Sequence, residues 1–347
     1  MKINIFKYFI VTVAAMSMVC SCDRHSIETP QEDTLSAIGF SNVSTKATLD
    51  DIQKDGFGVW ASISNATVTN SLIMDNTEVT YNSTEDSWKY SPLRYWVPKT
   101  MFNFIATYPY DQDEEYYKFD PENSAVKLTV NETPSEKDFL MATNMTDTSV
   151  EGFSETVNLQ FKHLLTSVSL NIWKDNVHNQ DQMRITYVTL GNIRKSGTYS
   201  SNEDKWSPTN EKITLEKIYE NFSDSDDIGS ARVNTDGTLT PGVDDDPAKP
   251  LTDQLLIPQT IDASNKVLLK INYQLWRDTG DDTDPDATKN WEDAELEAYL
   301  PYGTWEPNKR YTYNVVLSSV KNITFYYIQT KISPWGAPQV GGTIIIK

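Results

Sequence analysis

The chain predicts an all-β fold of the sandwich type, on three observations. Short apolar segments alternate with polar residues at period two along most of its length. Clusters of Gly, Pro, Asn and Asp stand between them and supply turns. Sustained helical periodicity is nearly absent, and Ile213 to Phe222 is the best helix candidate. A strand with one apolar face must bury it against another sheet, and the sandwich is the usual way of doing so.

Residues 1–21 read as a signal peptide. Lys2 and Lys7 precede the apolar run Phe9 to Val19, which is too short to span a bilayer permanently. Val19-Cys20-Ser21-Cys22 resembles a bacterial lipobox and points to Cys22 as the acylated residue. A multiply acylated cysteine anchors stably where a single chain does not. The stretch Asp23 to Asp33 is polar, carries Pro30 and reads as an extended tether. Thr34 to Val43 then forms a short strand with Ile38 and Phe40 on one face.

Further strands follow. Phe102, Phe104, Ala106 and Tyr108 share one face, as do Val267, Leu269, Ile271, Tyr273 and Leu275. Leu296, Ala298 and Leu300 repeat the pattern, then Tyr311, Tyr313, Val315 and Leu317, then Ile323, Phe325 and Tyr327. One segment slips phase: Val157, Leu159 and Phe161 share a parity that Leu164, Val168, Leu170 and Ile172 do not. A bulge or kink near His163 reconciles them. The polar stretch Thr143 to Glu155 marks the expected domain boundary, giving sandwiches over 47–156 and 157–347. At the end, Gly341-Gly342 leads into Thr343-Ile344-Ile345-Ile346-Lys347, which is strongly β-prone. This tail is either the last strand of its own domain or a strand for pairing with another chain.

Composition excludes several functions. The 49 acidic residues against 30 basic ones give a formal charge of −19, which excludes nucleic acid as a partner, because phosphate binding needs clustered Lys and Arg. Both cysteines lie in the first 22 residues, so the rest of the chain has no internal disulfide, thiol nucleophile or Cys-based zinc site. His25 lies in the tether and His178 in a polar turn, while His163 sits in an apolar strand as a hydrogen-bonded structural residue. No nucleophile elbow, phosphate loop or HExxH motif is present.

Asp282, Asp284, Asp286 and Asp293 approach a calcium loop. Ala287 replaces the turn glycine, Asp293 replaces the bidentate Glu and Pro285 intrudes, so the loop reads as solvated and no metal or cofactor is expected. Aromatic clusters at Trp88, Tyr90, Tyr95 and Trp96, and at Trp291, Tyr299, Tyr302 and Trp305, read as sandwich core in preference to a sugar platform.

A set of segments carries a resemblance. These are Ile38-Gly39-Phe40 running to Ser44-Thr45-Lys46-Ala47, Gly56-Phe57-Gly58-Val59-Trp60-Ala61, Tyr95-Trp96-Val97-Pro98 with Phe102-Asn103-Phe104, and Leu159-Gln160-Phe161-Lys162-His163-Leu164-Leu165. Leu255-Leu256-Ile257-Pro258-Gln259, Trp305-Glu306-Pro307-Asn308-Lys309-Arg310-Tyr311-Thr312-Tyr313 and Trp335 complete it. In this order the chain resembles the fimbrillin family of Bacteroidales, pilins and accessory subunits of lipoprotein-derived fimbriae.

The resemblance implies two transthyretin-like sandwiches in tandem and export to the outer membrane as a lipoprotein. It also implies a cut after a basic residue near the N-terminus by a trypsin-like protease. The matching bond is Lys46-Ala47, with Lys where the best-known members have Arg. Residues 22–46 are then an acylated tether and a displaceable first strand.

The expected function is a structural subunit of surface fimbriae, pilin or tip adhesin, assembled by donor-strand exchange and catalysing no reaction. Ile38, Phe40 and Val43 belong to the departing strand; Ile344, Ile345 and Ile346 belong to the candidate donor. Expected partners are other fimbrial subunits, a host or microbial surface ligand, and the outer membrane through the lipid. The alternative is a surface lipoprotein that binds glycan or protein through exposed aromatics and never polymerises. A glycosidase needs two carboxylates across a cleft, and no pair among so many acids is singled out.

Overall fold

The computed structural model describes residues 35–44, 49–176, 181–219, 227–242, 245–276, 291–318, 326–334 and 344–345. Those from Ser36 onward form one compact unit. The strands are β1 (Gly39–Ser44), β2 (Phe57–Ser64), β3 (Ser71–Asn82), β4 (Ser87–Lys89), β5 (Met101–Tyr108), β6 (Tyr117–Asp120), β7 (Ala125–Val130) and β8 (Leu140–Asp147). Next come β9 (Thr156–Gln160), β10 (Lys162–His163), β11 (Thr166–Asp175), β12 (Gln182–Arg194), β13 (Gly197–Ser200), β14 (Lys205–Pro208), β15 (Lys212–Ile218), β16 (Ser230–Val233) and β17 (Leu239–Pro241). The last are β18 (Ala248–Leu256), β19 (Gln259–Ile261), β20 (Leu268–Trp276), β21 (Glu292–Tyr299), β22 (Gly303–Trp305), β23 (Lys309–Leu317), β24 (Tyr326–Pro334) and β25 (Ile344–Ile345). The all-β prediction holds.

The six-stranded sheet β10-β8-β5-β2-β3-β4 and the two-stranded parallel pair β1-β9 enclose a first core of Ile38, Phe40, Phe57, Val59, Phe102, Phe104, Val157 and Leu159. A second core lies under β17-β16-β11-β23-β24-β25, where β18 also pairs β11, and under β15-β12-β20-β21. Val168, Leu170, Val188, Leu190, Ile271 and Val315 fill it. Alternation along each strand sets these faces: Leu269, Ile271 and Tyr273 turn inward while Lys270 turns out.

The phase slip near His163 is a transfer between sheets. Phe161 packs in the first core, β10 pairs β8, and β11 enters the second sheet. His163 is buried, with its Nδ1 2.7 Å from Asp138 Oδ2. The polar stretch expected as a boundary begins inside β8, where Thr143 to Asp147 pair with β5.

The helix expected at Ile213 to Phe222 is instead a strand as far as Ile218. Lys212 to Ile218 form β15 against β12, and only alternate residues Ile213 and Leu215 turn inward. The one helix among the described residues, α1 (Leu49–Asp55), is too short to show a period and buries a single side chain, Ile52. Gly56 ends it at φ 74°, its N–H reaching Ile52 O at 2.9 Å. A Cβ there would stand 2.8 Å from Val79 O, so glycine is required twice over.

A further four-stranded sheet, β14-β13-β7-β6, crosses the chain's midpoint. The hairpin β13–β14 joins β7, with Tyr199 opposite Leu128 and Gly197 opposite Val130. Trp206 donates from Nε1 to Leu164 O at 2.7 Å in the core that also holds Trp60, Tyr117 and Ile257. At the hairpin turn, Asp204 accepts from Lys162 Nζ at 2.5 Å and from the Tyr199 hydroxyl at 2.6 Å.

The Lys162 and Tyr199 bonds hold the Asp204 carboxyl below the ordinary range. A depressed carboxylate contributes stability above its unfolded pKa of about 4, and the contribution is lost as pH falls through the folded value. Asp204 is partly solvated, which keeps the effect small. Asp204→Asn, which tolerates the local φ of 50°, is therefore expected to cost about 1 kcal/mol at pH 7 and less at about pH 3, below the unfolded value. Urea unfolding at the two values measures this, and a pH-independent difference would remove the carboxylate from the account.

Candidate functional site

The site begins with six residues, Gly39 to Ser44, lying parallel to β9: Gly39 opposite Thr156, Phe40 opposite Val157, Ser41 opposite Asn158. The register shifts between Ser41 and Ser44. Just before β1 the chain is pinned from the other side. Ala37 bridges Tyr95, Ile38 N–H donates to Arg94 O at 2.8 Å, and Trp96 N–H donates to Ser36 O at 3.0 Å. The Tyr90 hydroxyl donates to Ile38 O at 2.8 Å.

Side chains fix the inward face. Ile38 and Phe40 are 1% and 7% exposed, and the smaller Gly39 stands between them. The Phe40 ring meets three others edge-on, with centroids 6.1 Å from Phe57, 5.6 Å from Tyr90 and 6.3 Å from Phe104. Trp96 seals the flank: its ring packs on Phe102 and Phe153, and its Nε1 donates to Glu155 O at 2.9 Å. Burying the Ile38 and Phe40 side chains contributes about 3–6 kcal/mol in total. β1 is thus an edge strand that completes a core, and its removal would uncover an aromatic floor between the β9 backbone and the Arg94–Trp96 segment.

The predicted residues divide as follows. Ile38 and Phe40 come together in this groove, and Val43 lies in the same strand. Lys46 and Ala47, in the four-residue gap between Ser44 and Leu49, lie outside the described residues, as do Cys22 and Ile346. Ile344 and Ile345 form β25, antiparallel to β24 at the end of the chain's own seven-stranded sheet, with Ile345 opposite Gln329. Arg94, Tyr90 and Trp96 were not singled out for this role. The aromatic cluster around them was the available signal, but it carries no information on which strand it faces.

Trp96 and Trp305 are buried, Trp88 and Tyr90 partly so. Trp291 lies under the Arg184 guanidinium at 4.1 Å. Tyr95, Tyr299 and Tyr302 are exposed, with Lys266 Nζ over the Tyr299 ring at 5.0 Å. Asp282, Asp284 and Asp286 lie outside the described residues, among which no group of three acidic, His or Cys side chains is placed to hold a metal. Among the described residues, no helix is long and apolar enough to cross a membrane.

Fold and groove together define an all-β protein with a core closed by its first, edge-lying strand. The chain belongs to the fimbrillin-like family, which matches it over residues 45–335. A fimbrial protein from Bacteroides vulgatus has a similar structure, with a TM-score of 0.64 at 20% identity, covering 86% of this chain and 99% of that one. A candidate cell adhesion protein from Bacteroides ovatus follows, with a TM-score of 0.49 at 16% identity over 87% and 98% of the two chains. No curated protein matches. Membership places the chain among fimbrillin-like proteins, which are structural proteins and not enzymes.

Proposed function

We propose that the protein is a fimbrial subunit exported as a lipoprotein through Cys22 and assembled by donor-strand exchange after a cut between Lys46 and Ala47. The observation that carries the reading is the place of β1 in the chain. It fills an aromatic groove from the sheet edge, and the candidate cleavage bond follows it by two residues. A cut there would leave β1 held by side-chain burial, a short, shifted parallel ladder and the few hydrogen bonds around Ile38, with no covalent link to the core. Its loss would free unpaired backbone on β9 above an apolar floor, the arrangement that accepts an extended segment from another chain.

Charge is compatible with this course. The segment up to Lys46 carries four basic and four acidic residues, so the cut chain keeps the formal −19 of the whole and repels its copies until grooves are filled. The tandem sandwich division over 47–156 and 157–347 belongs to the same proposal.

Limited trypsin treatment of the chain lacking residues 1–21 is expected to cut after Lys46 and then yield a ladder on a native gel. A clean cut followed by a stable monomer at all concentrations counts against assembly.

A further inference from the structure

Resting on the assembly reading above, we infer that the groove under β1 selects an incoming strand with an aromatic residue two positions after a branched aliphatic one. The same geometry makes the chain's own tail a poor match, so the groove's occupant is an extended segment of a different subunit.

The template is the strand now in place. Ile38 and Phe40 are its inward pair, and the Phe40 socket is built from the edges of Phe57, Tyr90 and Phe104, all within 6.3 Å of its centroid. Edge-to-face contacts of this sort reward a ring beyond the area it buries. A β-branched aliphatic side chain in that socket loses those contacts and leaves unfilled volume that close-packed walls do not give up freely. The Ile38 socket asks less, because its fixed points are main-chain ones: the Arg94 carbonyl, which accepts from the Ile38 N–H, and the Tyr90 hydroxyl, which donates to the Ile38 carbonyl. Any residue supplies those two groups, and the buried aliphatic side chain that Ile38 adds is one the tail's isoleucines also offer, so discrimination falls on the second socket.

Residues 337–347 hold no Phe, Tyr or Trp. With Ile344 in the first socket, Ile346 would enter the second; shifted by one residue, Ile345 would. In neither register does a ring meet the three ring edges. An independent observation points the same way: Ile344 and Ile345 are already paired to Thr330 and Gln329 in their own sheet. Donating the tail would break that ladder and would gain an underfilled socket.

The test uses the chain cut by limiting trypsin after Lys46, with its N-terminal fragment still bound. Release of that fragment is followed by size-exclusion chromatography and mass measurement as peptides are added. The peptides are residues 34–46, residues 337–347, and the latter carrying Ile345→Phe or Ile346→Phe. The 34–46 peptide and the better Phe variant are expected to release the fragment at concentrations about tenfold lower than the unmodified tail. In a Tyr90→Leu acceptor, which loses one ring edge, that ratio is expected to shrink to about threefold.

If the unmodified tail equals both Phe variants, aromatic selection is wrong while assembly by strand exchange stands. If the ratio is unchanged in Tyr90→Leu, the selecting socket is not this one. If no peptide acts, the 34–46 peptide included, the strand-exchange reading fails and takes this inference with it.

Discussion

Phe40→Ala is expected to lower the stability of the uncut chain by about 3 kcal/mol, the usual loss for a buried ring cut to a methyl. The loss should have an unusual form. An interior ring cannot be deleted without opening a cavity that the surrounding walls only partly fill. Phe40 stands on a strand at the edge of the fold, tied on by a short parallel ladder and by the hydrogen bonds around Ile38. Once its ring is gone, releasing β1 competes with keeping a cavity. The global loss is then capped by the free energy that docks β1, and further damage appears as local opening.

Amide exchange at Ser41 should accordingly quicken by more than the change in urea midpoint accounts for. Phe40→Leu, which keeps most of the volume and loses the three ring edges, should recover roughly half of the loss. An equal fall in stability with β1 amides as protected as before would make β1 a fixed part of the core, not a removable one.

How much of this was legible beforehand depends on the range of the interaction. The inward pairing of Ile38 and Phe40 is a property of adjacent residues, and alternation reveals it. So does the inward set Leu269, Ile271 and Tyr273 on β20. The partner of β1 is another matter. Thr156 to Gln160 lie more than a hundred residues away, and neither strand's composition says that they run parallel or that Arg94 to Trp96 closes the other flank. The Tyr90–Trp96 aromatics were visible as a cluster, but a buried wall and an exposed platform have the same composition.

Two errors have local causes. Leu215, Ile218, Tyr219 and Phe222 fit a helical spacing while Ile213 and Leu215 fit a strand's, and pairing of Lys212–Ile218 with β12 decides for the strand. Helix α1 has one buried residue and therefore no period to detect; its acidic first turn and the Gly56 stop were the only marks. The sheet that crosses the midpoint was missed for a topological reason. Tyr199 and Trp206 alternate as hairpin residues should, but nothing in a hairpin names the sheet it will join.

That hairpin is where the second large effect is expected. Trp206→Ala removes a 7%-exposed indole packed on Tyr199 at 5.8 Å, and it strips Leu164 O of its donor. Truncating a buried Trp costs about 3–5 kcal/mol, and the orphaned carbonyl adds about 1–2 kcal/mol. Trp206→Phe keeps most of the packing and loses the hydrogen bond, so it should cost about 2 kcal/mol. The location matters more than the size. Leu164 lies where the chain passes from the first core to the second, and β13 is paired to β7, so the indole joins packing that both halves share. With the hairpin in place, unfolding of either half removes sheet and core from the other, and the unit should melt in one step.

Loosening the hairpin should uncouple the halves. Urea unfolding of Trp206→Ala, followed by tyrosine and tryptophan emission and by far-ultraviolet circular dichroism, is expected to show transitions that no longer coincide. In the parent chain the same probes should overlay. A Trp206→Ala chain that loses stability but still unfolds in one coincident step would mean that the β10–β8 pairing and the Ser135 N–H bond to Leu255 O suffice to join the halves. Under the assembly proposed above, the distinction decides how the subunit would bear load: one whose halves unfold together resists as one body, while one whose halves part yields at its weaker half first.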